Sequence, residues 1–110
     1  MRPIPKTLLP HSATHKYGKT KDDWGGEMWT GTNSLKHVRF EPSTKLVLTK
    51  DNKEVQLSAM MFFDCKNSAP AGAVFTVGDL LQWNGRDYHI EVVDPLYERQ
   101  KLHHYEVGLI

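Results

Sequence analysis

Residues 75–93 read FTVGDLLQWNGRDYHIEVV, and the dipeptide Asn84-Gly85 near their centre is the strongest local signal in the chain. Asn-Gly between apolar runs favours the type I′ turn that joins two antiparallel strands through two residues. The turn sets a register with Leu81 opposite Tyr88, and places Trp83, Ile90 and Val92 on the same face. A tight hairpin with one apolar face needs further strands to cover it.

Working outward, the flanking segments carry the same period of two. In TKLVLTKDNKEVQLS, Leu46 and Leu48 alternate, Asp51-Asn52 supplies turn chemistry, and Val55, Leu57, Ala59, Met61 and Phe63 then fall on one face. The opposite face passes from Gln56 and Ser58 to Met60 and Phe62, so its far half is expected to be covered on both sides, by the N-terminal segment or by a neighbouring subunit. Between Ser34 and Glu41, Val38 and Phe40 alternate with charged neighbours. Leu35 is out of phase with them, which a bulge near His37 would absorb. SATHKYGKT is a first strand with Ala13, His15 and Tyr17 facing one way, and KDDWGGEMWTGTN is read as a glycine-rich loop. Trp24 and Trp29 within it are costly to leave wet, so they are expected to close a barrel end or enter an interface. In the closing KLHHYEVGLI, regular alternation would point His103 and His104 apart. Two such imidazoles could not reach one metal ion from a regular strand. Short strands without helical periodicity predict an all-β single domain, a small barrel or sandwich.

The composition agrees with one soluble core. At 110 residues with 39% hydrophobic and 25% charged residues the chain has ordinary globular proportions. No apolar run approaches the roughly 20 residues of a spanning helix, and MRPIPKTLLPH is too short and proline-broken for a secretory signal, so synthesis in a cytoplasm is expected. The lone Cys65 is in phase with Phe63 and Met61 and is expected to be a small buried hydrophobe rather than a reactive thiol. Residues 1–10, with three prolines, are read as an extended N-terminal arm on a domain of residues 11–110. The net charge of +1 conceals a basic first half and an acidic second half. Solvated surface accounts for this, as does a head-to-tail contact between opposed flanks of identical subunits.

The chain shows little catalytic chemistry. His11 and His15 have zinc-like spacing only on a helix, and Pro10 with Ser-Ala-Thr favours extended chain. Asp22-Asp23, followed by Trp24-Gly25-Gly26, reads as a turn. No Gly-Lys-Ser/Thr phosphate loop is present. We expect no catalytic residues, no metal site, no cofactor and no membrane partner. Bases interleaved with Tyr17, Trp24 and Trp29 leave open a single-stranded nucleic-acid-binding barrel, against which the near-neutral charge weighs.

RPIPKTLLPHSATHKY (2–17), NSLKHVRFEP (33–42), MFFDCKNSAPAG (61–72), FTVGDLLQWNGRDYHIEVVDPLYE (75–98) and LHHYEVGLI (102–110) together resemble the small minor capsid proteins of tailed bacteriophages. That family is similar to the head-completion, or stopper, proteins of long-tailed phages. The resemblance implies a compact β-barrel with a projecting hairpin, here residues 43–55. It also implies a homo-oligomeric ring in the virion neck, below the portal and adaptor and above tail terminator or tail proteins, that closes the channel over packaged double-stranded DNA. On that basis Lys45, Lys50, Asp51, Asn52 and Lys53 are DNA-channel or gating candidates, with the loop 66–73 as competitor. Arg2, Pro3, Pro5, Lys6, Trp24, Trp29, Met60, Phe62, His104 and Glu106 are candidates for subunit or adaptor contacts.

Overall fold

The computed structural model describes residues 3–21, 23–49 and 51–110. Among the described residues a short 3-10 turn, Lys6–Leu8, is followed by eight strands: β1 (His11–Lys21), β2 (Glu27–Pro42), β3 (Leu46–Leu48), β4 (Glu54–Gln56), β5 (Ala59–Asp64), β6 (Leu80–Trp83), β7 (Arg86–Glu98) and β8 (Lys101–Leu109). The chain is all-β, as its period-two patterning predicts. Six strands hydrogen-bond in the order β1-β2-β5-β8-β7-β6, and β6 returns to β1, so the sheet closes into a barrel. β3 and β4 form a separate two-stranded sheet.

Asn84 and Gly85 both have positive φ, 52° and 75°, as a type I′ turn demands, and Leu81 pairs with Tyr88. Leu81, Tyr88 and Ile90 are buried. Val92 departs from the expected face: the β7–β8 register shifts between Ile90 and Val92, and Val93, opposite Val107, packs against the core instead. The bulge expected near His37 is present. His37 has φ 56°, and His11 pairs with Val38 while Ser12 pairs with Lys36, so Leu35, Val38 and Phe40 all point inward.

Leu35, Val38, Phe40, Met61, Phe63, Leu81, Ile90, Val107 and Leu109 fill the barrel. Each fully buried side chain of this size contributes about 1.5–3 kcal/mol of transfer free energy. Phe75, from the loop joining β5 to β6, packs edge-on against Phe63 and Tyr105 and caps the interior. The tryptophan that packs on the core is Trp83, stacked at 4.7 Å on Phe40 and in edge contact with His11, also at 4.7 Å. Trp24 and Trp29, expected at a barrel end or an interface, do not close the barrel.

Residues 4–9 lie on their own barrel. The Ile4 amide donates to Asp64 Oδ1 at 3.0 Å, Asn67 Nδ2 donates to the Ile4 carbonyl at 2.7 Å, Arg39 Nη1 reaches the Leu8 carbonyl, and Leu9 is buried. Arg39 pairs with Phe62, and Asp64 follows Phe62 on the same outward face, so the segment crosses the strip that holds Phe62. Within one chain the segment encloses Asp64 on the outer face of β5, while Met60 and Phe62 stay half-buried. Of the proposed arm contacts, Arg2 lies outside the described residues, Pro3 is half-buried, and Pro5 and Lys6 are exposed.

Candidate assembly surface

The most prominent surface feature is a ribbon. β1 and β2 remain paired from Tyr17↔Gly31 to Lys21↔Glu27, whereas β1 meets β6 only at Thr14–Lys16 and β2 meets β5 only at Val38–Pro42. The outer halves of both strands therefore leave the barrel as a two-stranded projection, and the molecule measures 47 × 30 × 28 Å. The segment read as a glycine-rich loop is thus largely strand, because Glu27-Met28-Trp29-Thr30 opposes Lys19-Thr20-Lys21 with β-forming side chains. Lys19 Nζ lies 2.8 Å from Glu27 Oε1 across the ribbon. That hydrogen bond and the ammonium charge hold the Glu27 carboxyl below its ordinary range. Trp24 at the tip is 94% exposed and Met28 52%, while Trp29 is half-buried.

The second projection starts from the opposite end of β2. Ser43 donates to the Ser58 carbonyl and Leu57 to the Lys45 carbonyl, closing the base of the β3–β4 hairpin. Val47 faces Val55, leaving Leu46 and Leu48 exposed. At the turn Asn52 has φ 60° and donates to the Thr49 carbonyl. Lys45, Asp51, Asn52 and Lys53 are exposed; Lys50, like Asp22, lies outside the described residues. The hairpin leans on the barrel: Leu48 and Thr49 share a cleft of about 250 Å³ with Phe75–Val77 and Glu91–Val93. A larger groove, about 720 Å³, runs between Tyr17–Lys19 at the ribbon root and the segment Pro70–Asp79. Val74 and Val77 are exposed there.

Two polar clusters escaped the sequence reading. His15 is fully buried, with Nε2 2.9 Å from Asp79 Oδ2, and its ring packs on Phe75. Nothing in the local sequence marks a pair separated by 64 residues. The second cluster corrects an expectation. His103 and His104 do not point apart; their Nδ1 atoms lie 2.7 Å from one another, and His104 Nε2 is 3.1 Å from Glu106 Oε2. The register shifts between Leu96↔His104 and Tyr97↔Leu102, leaving His103 as an extra residue that breaks the alternation. One of the two facing Nδ1 atoms donates and the other accepts, and His104 Nε2 is the donor to the Glu106 carboxylate. Both His104 and Glu106 are half-buried, as are Met60 and Phe62.

Cys65 is half-buried rather than fully enclosed, and burial followed by the Asp64 charge raises its thiol pKa. Among the described residues no group of three or more His, Cys, Asp or Glu side chains is placed to hold a metal ion, and no helix is long and apolar enough to cross a membrane. What the surface offers is contact area: a ribbon, a hairpin with exposed leucines, and grooves between them.

A sequence model of the minor capsid protein family matches residues 5–109. No curated protein matches the chain. The match spans nearly all of the barrel, ribbon and hairpin, and the chain therefore belongs to the minor capsid protein family.

Proposed function

We propose that this minor capsid protein is a head-completion, or stopper, subunit of a tailed phage, assembling as a homo-oligomeric ring in the neck that closes the DNA channel and offers a docking surface to the tail. Family membership makes it a structural virion component. The observation that carries the finer reading is the pair of projections from opposite ends of β2. A closed barrel that carries both a ribbon and a separate hairpin resting on residues 75–77 and 91–93 offers neighbours more than one contact surface while its own core stays intact.

In this reading the hairpin residues Lys45, Lys50, Asp51, Asn52 and Lys53 face packaged double-stranded DNA. Positive charge at phosphates supplies sequence-independent affinity, so no base-reading geometry is required. Portal or adaptor proteins above meet the N-terminal segment, and tail proteins below meet the remaining exposed surface. Weak subunit contacts add up around a closed ring, and the hairpins move between shut and open positions. Nothing in the structure favours the single-stranded nucleic-acid-binding alternative: Trp24 and Trp29 stand on a ribbon away from the barrel face.

A density map of assembled virions tests the proposal. It is expected to show the subunit as a ring in the neck; virions whose neck lacks it would refute the reading.

A further inference from the structure

The ribbon leaves two β edges open. Residues 17–21 of β1 lie beyond the last β6 partner, Lys16↔Leu80, and residues 27–33 of β2 lie beyond the β5 ladder. Among the described residues no strand pairs with either outer edge. A two-stranded ribbon is marginal by itself in water, and its outward N–H and C=O groups are a template for further strands. The groove of about 720 Å³ opens beside Tyr17, Gly18 and Lys19, where β6 has ended and the chain of residues 70–79 has turned away, so β1 has room for a strand alongside it.

The two edges differ in charge. Residues 16–21, KYGKTK, carry three bases and no acid; residues 27–33, EMWTGTN, carry one acid and no base. β1 against β1 sets lysines against lysines, whereas β1 against β2 sets them beside an edge that carries no base and whose one acid, Glu27, already meets Lys19 of its own ribbon. Direction agrees as well. Within the ribbon the strands are antiparallel, so copies related by rotation about an axis along the ribbon place β2 of one beside β1 of the next, again antiparallel.

We propose that the ribbon is the interface between copies of this chain: the β2 edge of one subunit adds to the β1 edge of the next, continuing one antiparallel sheet around a closed array. This names the self-contact within the connector reading and rests on it for the closure of the array. Main-chain hydrogen bonds supply the pairing, and the exposed Trp24 and Met28 add apolar contact area along the same ribbon.

The test uses full-length chains in a Cys65→Ser background, one carrying Thr20→Cys and the other Met28→Cys or Thr30→Cys. Each has a single thiol, so a short bismaleimide can link only different chains. Mixed subunits, in solution at high concentration and incorporated into particles, are expected to give a heterodimer joined through β1 and β2. Adding Glu27→Lys to the β2 partner is expected to abolish it. Heterodimer formation by chains that never reach the neck supports edge pairing and refutes the connector reading. Necks that hold both chains without the β1–β2 cross-link overturn edge pairing and leave the connector reading standing. Absence of both the cross-link and the neck subunit overturns both.

Discussion

The Ile4 amide donates to a carboxylate sixty residues away, Asp64 Oδ1 at 3.0 Å, while Asp64 Oδ2 accepts from the amides of Lys66 at 3.1 Å and Asn67 at 2.8 Å. Asp64 faces outward by strand alternation yet is fully buried, because the N-terminal segment and its own following turn enclose it. Ser68 reinforces the turn, donating from its hydroxyl to the His37 carbonyl and from its amide to the Asp64 carbonyl.

Replacing Asp64 by Ala strands three donors at once. At about 1–3 kcal/mol for each unsatisfied buried group, partly relieved by water, a net loss of roughly 3 kcal/mol is expected. Urea denaturation measures it, and hydrogen exchange is expected to show faster exchange of the Ile4 amide. An unchanged midpoint would exclude Asp64 as the clasp of this segment.

The buried His15–Asp79 pair makes a second demand. Asp79→Ala leaves the imidazole Nε2 without its partner in a site walled by Phe75, and also removes the acceptor of the Thr76 amide. A loss of about 2–4 kcal/mol is expected for the two donors left unsatisfied, at about 1–3 kcal/mol each. Asp79→Asn, which retains an acceptor oxygen, is expected to lose less; equal losses for the two variants would contradict the hydrogen-bond account.

At the β6–β7 turn, Gly85→Ala is expected to cost about 1 kcal/mol. A Cβ there meets nothing within 4 Å, so the cost comes from the left-handed backbone at φ 75° alone. Thermal unfolding is the measure, and Asn84→Ala, at φ 52°, is expected to move in the same direction.

Gly108→Ala acts by crowding. Its Cβ would fall 2.5 Å from Val92 Cγ1 and 2.9 Å from Leu57 Cδ1, between the barrel wall and the base of the β3–β4 hairpin. Overpacking of this kind costs about 1–3 kcal/mol. Val92→Ala in the same chain is expected to restore part of the loss, and absence of any coupling between the two changes would count against the contact.

The Cys65 thiol supplies a pH test. Desolvation first and the Asp64 carboxylate second both disfavour the thiolate, so its pKa lies above the ordinary cysteine value. At any given pH below that value less thiolate is present than in an unfolded chain, and alkylation by iodoacetamide is expected to be slower than for a free cysteine. Its rate should rise through a more alkaline range than that of a free cysteine, and denaturation should abolish the difference. Alkylation as fast in the native protein as in urea would refute it.

Local chemistry was legible in the residues because it depends on near neighbours. Asn84-Gly85 specifies a turn whose two positive φ angles few other dipeptides tolerate, and the turn then fixes Leu81 against Tyr88. The phase slip from Leu35 to Val38 required an extra residue, and His37 is that residue. Alternation alone was enough for an all-β chain and for most of its core. It failed at Val92 and at His103, where bulges shift the register by one residue.

Only the tertiary structure decided where the segments go once formed. Whether β6 continues along β1 or stops at Lys16 depends on the path of residues 65–79, and that stop turns an expected loop into a ribbon with open edges. The burial of Asp64 and the pairing of His15 with Asp79 likewise depend on residues more than fifty positions apart. Period and turn propensity act over a few residues, whereas the choice of which polar group leaves water is made by the whole closed sheet.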